Sequence, residues 1–231
     1  MGLISNIKSM IENEISFSKF IYYNFLCKNI IRKGKGKIFP HKGAVLDLAR
    51  NSKIYLDSGS LEIGFNKLKK SKAETYVRLE ENAVWECTNG ALLFFDSMVD
   101  LKKGAKFTSG FFSANSGCVI VVHENITFGN DVMLGRNVLI YDSDFHQLRN
   151  ESDEPINPPK PVVIEDHVWL TSNITILKGV TIGRDSLVAA QTVINKSIPE
   201  HCIIAGSGSA KVIKDYVNWN RAECPHSKKN F

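Results

Sequence analysis

No stretch of the 231-residue sequence holds 18 uninterrupted apolar residues, so no membrane-spanning helix is predicted. Cysteines are few and scattered: Cys27, Cys87, Cys118, Cys202 and Cys224 are odd in number and form no CxxC pair. That pattern excludes a disulfide framework or a zinc finger and predicts reduced thiols in a cytoplasmic protein. The first residues lack the basic flank, long apolar run and small-residue cleavage site of a secretory leader. Charge imbalance is slight: a net charge of +5 is too small an excess to predict a nucleic-acid partner. The 43% of hydrophobic and 23% of charged residues support a buried core and exclude a disordered chain.

The strongest pattern has a period of six. Aliphatic or aromatic residues recur at Val122, Phe128, Leu134 and Ile140, lapse, and resume at Ile164, Leu170, Ile176, Ile182, Val188 and Ile194. The next position is often small (Gly129, Gly135, Gly183, Ala189), and the fifth is apolar or small, from Ile126 to Ile198. One hexad supplies a short strand and a tight turn; three make a triangular coil whose parallel strands pair with the coil above. The first-position residue points inward and stacks on its counterpart eighteen residues on, which places Phe128, Ile164 and Ile182 in such files. The small second position is expected where the backbone turns, because glycine accepts conformations that other residues resist. An antiparallel sandwich would need period-two alternation and hairpin turns, which this region lacks. From Gly36 to about Cys118 the strands are short and degenerate, as in Ala44–Leu48 and Ala91–Phe95, and Lys67–Lys72 reads as a solvated loop.

Three segments follow: residues 1–35, a β-solenoid domain over 36–215 with a loop extruded at 146–162, and a short helical tail over 216–231. Ile4, Ile7, Ile11, Ile15, Tyr22, Leu26 and Ile30 predict an amphipathic helix over 3–31, ended by the basic, glycine-broken stretch Arg32–Lys37. Two readings stand. The helix caps the open end of the solenoid, where strand edges would otherwise be unpaired. Or it lies at the inner face of the cell membrane with its basic flank on the lipid.

The hexads of Ile126–Ile140 and Val163–Gly183, with the closing Ile204–Lys214, resemble the hexapeptide-repeat acyltransferases. The resemblance is greatest to sugar O-acetyltransferases of the galactoside, maltose and surface-polysaccharide type. It implies an all-β fold, a left-handed parallel β-helix, and acetyl transfer from acetyl-coenzyme A to a carbohydrate hydroxyl in polysaccharide or lipopolysaccharide biosynthesis. It also implies a homotrimer with its sites between neighbouring coils. The matching site residues are His146, where the repeat breaks after an Asp-rich hexad, Asn115 about thirty residues earlier, and Trp169 just past the break. Ser209 stands where the family has proline, and Asn195 where threonine is common.

The chemistry asked of these residues is simple. A hydroxyl attacks a thioester poorly while protonated, so a base is needed within hydrogen-bond reach. Histidine titrates near neutrality and suits that task, which makes His146 the expected base; the plainer alternative is an ordinary loop histidine. Asp144 or Asp142 would orient its imidazole. Asp144 falls at a fifth position where neighbouring hexads are apolar, although a turn-forming aspartate accounts for it equally. Asn115 would hold the acceptor, or is a turn asparagine; Trp169 would cover the site, pack at a subunit interface, or both. By resemblance the pantetheine arm lies against Ser172 and Ala190, and the phosphates meet Lys196, Lys211 and Lys214; each lysine alone reads as a surface charge.

Cys118 and Cys202 have no base in a shared motif, so an acyl-enzyme is not expected. The gaps between His123, His146, His167 and His201 show no paired spacing, so no metal is expected. Three other functions compete: transfer to an amino sugar, transfer to an antibiotic, and a non-catalytic scaffold in a polysaccharide assembly complex.

Overall fold

The computed structural model describes residues 14–206 and 210–221. Its strands form three sheets, each a face of one prism, and the chain visits the faces in rotation. The first face runs from Ile30–Arg32 to Thr181–Ile182 in seven strands. The second begins at Lys37–Pro40 and ends, nine strands later, at Lys211–Asp215. The third runs from Ala44–Leu48 to Val193–Ile194 in seven. Every strand pairing is parallel except the last, where Cys202–Ala205 meets Lys211–Asp215 antiparallel. All ten first-position residues from Val122 to Ile194 are buried, and Phe128 stacks on Ile164, which stacks on Ile182, as expected.

Coil length explains why the period is sharp only late in the chain. Lys53 pairs with Val84, 31 positions on, Val84 with Lys106, 22 on, and Lys106 with Asn125, 19 on. Only past the loop does the step settle at 18, as from Val163 to Thr181. The first coils are filled by aliphatic side chains, and the middle ones by larger rings. Trp85, Phe107, Phe112 and Phe128 form one buried cluster with ring centroids 5.1–6.3 Å apart, and the Trp85 indole N–H donates to Ser109 Oγ at 3.0 Å. The narrower late coils are filled by valine, leucine and isoleucine.

The glycine expectation is corrected. Gly129, Gly135 and Gly183 have no left-handed backbone; the neighbouring coil passes too close for a side chain. A Cβ on Gly135 would lie 2.0 Å from the Thr171 carbonyl oxygen, and one on Gly183 2.5 Å from the Glu200 nitrogen. The left-handed residue sits two places later, at Asp131, Asn137, His167, Asn173, Asp185 and Gln191, with φ between 55° and 59°. Mostly these are Asn, Asp and His, the non-glycine residues enriched in that conformation.

The expected helix over 3–31 is also corrected, its residues 3–13 lying outside those described. A helix spans Phe17–Ile21 and continues as a π-turn, Tyr22–Leu26, whereas Ile30–Arg32 is a strand paired with Lys53–Leu56. β-Branched Ile30 and Ile31 suit that edge, which the first complete coil leaves open. Asn24 then takes the place of a missing strand: its Nδ2 donates to the Ile38 carbonyl at 2.7 Å, and its Oδ1 accepts from the Ile38 N–H at 3.0 Å. The expected C-terminal helix is absent among the described residues: 211–215 are a strand and 216–221 are irregular, while 222–231 lie outside them.

Candidate active site

Between Leu139–Tyr141 on the third face and Val162–Ile164 on the first, the chain leaves the coil as a loop. Asp142 marks the exit. It is fully buried, and its carboxylate accepts from the main-chain N–H groups of His123, Glu124 and Asn125 at 2.7–2.8 Å. A carboxylate there satisfies three donors that the departing chain cannot pair, so Asp142 is spent on the corner and faces no open groove.

Asp144 is out in the loop, not in the apolar file. Lys178 Nζ donates to Asp144 Oδ2 at 2.5 Å and to the Asn157 carbonyl at 3.0 Å, while Asn157 Nδ2 reaches Asp144 Oδ2 at 2.8 Å. The lysine, then Asn157, hold the Asp144 carboxyl below the usual aspartate range. The trio latches the loop's two ends to the coil. Asn157 Nδ2 also donates to the His146 carbonyl at 2.9 Å, and the His146 N–H donates to the Asp144 carbonyl at 2.7 Å.

His146 itself is exposed, and among the described residues no side chain hydrogen-bonds its imidazole. It shares a pocket of about 380 Å³ with His123, Phe145, Asn157, Pro158 and Pro159. Phe145, directly before it, has φ +60°, an uncommon conformation for an aromatic residue, and its ring meets those of His123 and Tyr141 edge-on. Of the two aspartates considered as orienters, neither carboxylate contacts the imidazole; they hold the corner and the latch.

Asn115, Trp169 and Ser172 lie elsewhere, along a groove of about 370 Å³ on the second face. Asn115 Oδ1 accepts from the Ser116 N–H at 2.8 Å, a turn-stabilising bond. Ser172 and Ala190 stack on the edge between second and third faces, where the Gln191 N–H donates to the Ser172 carbonyl at 3.0 Å. One coil below, Arg136 is in register with Ser172, and the adjacent Gly135 lies against Thr171 and Ser172, so the groove is flanked by small residues with one cation at their foot. Lys196 is exposed on the other edge, the one that carries His146 and Lys178. Lys211 and Lys214 are exposed on the outermost strand of the second face. One chain therefore holds the expected residues in two groups on different edges.

Three contributors were not anticipated. His123 shares the His146 pocket, although spacing had marked it only as a metal candidate. Arg221 lines one side of the Asn115 groove, and Trp219 packs beside it against His167 and Trp169. Trp219 stacks on His167 with centroids 4.0 Å apart and donates to the His167 carbonyl at 2.7 Å. Arg221 Nε donates to Asp131 at 2.5 Å, and Nη1 to Ser113 Oγ at 3.3 Å. A tryptophan in an otherwise polar tail was the available signal. Cys118 and Cys202 are poor nucleophiles: burial pushes the Cys118 thiol up to about 12, and Cys202 is raised by the same cause. Among the described residues no three His, Cys, Asp or Glu side chains are grouped to hold a metal ion.

The comparisons with known proteins agree with this architecture. The polysialic acid O-acetyltransferase of Neisseria meningitidis is 33% identical over 177 residues, covering 75% of this chain and 78% of that protein. The putative lipopolysaccharide biosynthesis O-acetyl transferase WbbJ of Escherichia coli K12 is 36% identical over 140 residues, 49% of this chain and 70% of that one. Among solved structures, the polySia-specific acetyltransferase NeuO superposes with a TM-score of 0.50 at 24% identity, over 87% of this chain and 93% of that one, and so shares the fold. No profile of a known protein family matches. The chain belongs to the hexapeptide-repeat acetyltransferases. It spans about half the length of several curated relatives, 46% for the polysialic acid O-acetyltransferase of E. coli O1:K1.

Proposed function

We propose that the protein is an acetyl-coenzyme A dependent O-acetyltransferase that modifies a carbohydrate hydroxyl of a surface polysaccharide or lipopolysaccharide. The observation that carries this reading is the exposed His146 imidazole, held at the mouth of a loop pocket by the Asp144–Lys178–Asn157 latch. The activities of the Neisseria and E. coli relatives support the substrate class. The donor supplies an activated thioester carbonyl. His146 takes the proton of the attacking hydroxyl and returns it to the departing thiol, without an acyl-enzyme.

The split of the residues over two edges favours a homotrimer of left-handed coils. A neighbouring copy would bring its Asn115–Trp169 groove, with Ser172 and Ala190, against the His146 edge of the first. Ser172 and Ala190 then lie beside the pantetheine arm, and Lys196, Lys211 and Lys214 face its phosphates. The test is thiol release from acetyl-coenzyme A in the presence of hydroxyl and amino sugars, with mass spectrometry of the product. Turnover with hydroxyl acceptors and a mass gain of one acetyl group are expected; turnover with amino acceptors alone would overturn the O-acetyl reading.

A further inference from the structure

Phe17–Leu26 has two faces. Phe20, Tyr23, Asn24 and Cys27 turn inward: Phe20 packs on Phe39 with centroids 5.4 Å apart, and Asn24 bonds Ile38. Phe17, Ile21, Tyr22, Phe25 and Leu26 follow helical spacing on the opposite side and are 36–66% exposed. The inner stripe already caps the solenoid; of the outer stripe, Phe25 touches Phe20 and Arg32 and Tyr22 touches Tyr23 at one edge, and the rest of each ring is left exposed. Such a contiguous apolar surface marks an interaction site.

Charge names the occupant. Residues 15–46 hold six lysines and one arginine and no aspartate or glutamate. Lys28, Arg32, Lys33, Lys35, Lys37 and Lys42 are all exposed, with Lys33 lying over the Tyr55 ring at 4.6 Å and Asp57 the nearby acid beside Gly34. A second copy docked face to face would set these cations against one another. A soluble polyanion would use the cations and leave the aromatic stripe in water. An anionic bilayer uses both: acyl boundary for the apolar stripe, headgroups for the lysines.

We propose that this end of the solenoid is a peripheral docking surface for anionic lipid, which would set the catalytic coils beside a membrane. The test uses the full chain in vesicle co-sedimentation. Binding is expected to phosphatidylcholine vesicles containing phosphatidylglycerol and not to phosphatidylcholine alone. Phe25→Ser with Leu26→Ser should abolish it, and Lys28→Gln, Lys33→Gln and Lys35→Gln should each weaken it roughly fivefold at low salt. All variants should keep the wild-type melting temperature and thiol-release rate, which separates lost docking from lost folding or lost catalysis. Equal binding to both vesicle types, or binding untouched by these substitutions, would overturn the proposal. So would a wild-type protein that self-associates through this face and is dispersed by the Phe25/Leu26 variant, which would make the occupant a second copy.

Discussion

At the scale of single residues, the loop corner divides its carboxylates by task. Asp142 is buried and satisfies backbone; Asp144 is exposed and holds a lysine; His146 faces the pocket. Replacing His146 with alanine is expected to lower kcat by roughly 10²–10⁴-fold with little change in melting temperature, because the imidazole supports nothing else. Full retention of rate would remove the general-base assignment. Asp144 gives a pH prediction of definite sign. Its pKa is depressed in the folded state, so the latch is intact above the ordinary aspartate pKa and is lost as pH falls through the lowered value. Limited proteolysis between residues 147 and 157 should therefore accelerate on acidification, and Asp144→Asn should show the faster cleavage already at neutral pH. His146 and Trp169 were legible in the sequence because the interrupted repeat points at them. The Lys178–Asn157 latch was not, since its partners lie 34 and 13 positions from Asp144 and no local pattern joins them.

At the scale of elements, turns carry more of the specificity than strands. Each short strand can be built from many apolar residues, but each of these turns needs one left-handed residue, and at Gly129, Gly135 and Gly183 also a bare backbone two places earlier. Gly135→Ala should destabilise the protein by about 1–3 kcal/mol, because the Cβ meets a backbone carbonyl that cannot swing away. Urea unfolding would measure it. The tail is the other element of consequence. Trp219→Ala removes the stack on His167 and the support behind Trp169, which lines the Asn115 groove. The coils should stay folded, while protease trims the tail faster and KM for one substrate rises more than kcat falls; an unchanged KM would exclude the tail from the groove. Over 216–221 the expected helical tail is irregular, because a short segment's conformation is set by what it packs against.

At the scale of the whole molecule, stability is unevenly supplied. The middle coils depend on the Trp85–Phe107–Phe112–Phe128 cluster, where Phe107→Ala should cost about 3–5 kcal/mol by thermal or urea unfolding. The sequence by itself determined the solenoid, since a six-residue period admits one way to bury every first-position side chain. It also determined where that solenoid breaks, and hence the histidine at the break. The sequence places the early chain in the same solenoid; only the tertiary structure decided its register. Coil steps of 31, 22 and 19 residues leave no common period to read, and stacking alone brings Lys53, Val84 and Lys106 into line. Tertiary structure also decided that the candidate residues lie on two edges of the prism, because which corner a residue occupies depends on the count of residues in every preceding turn.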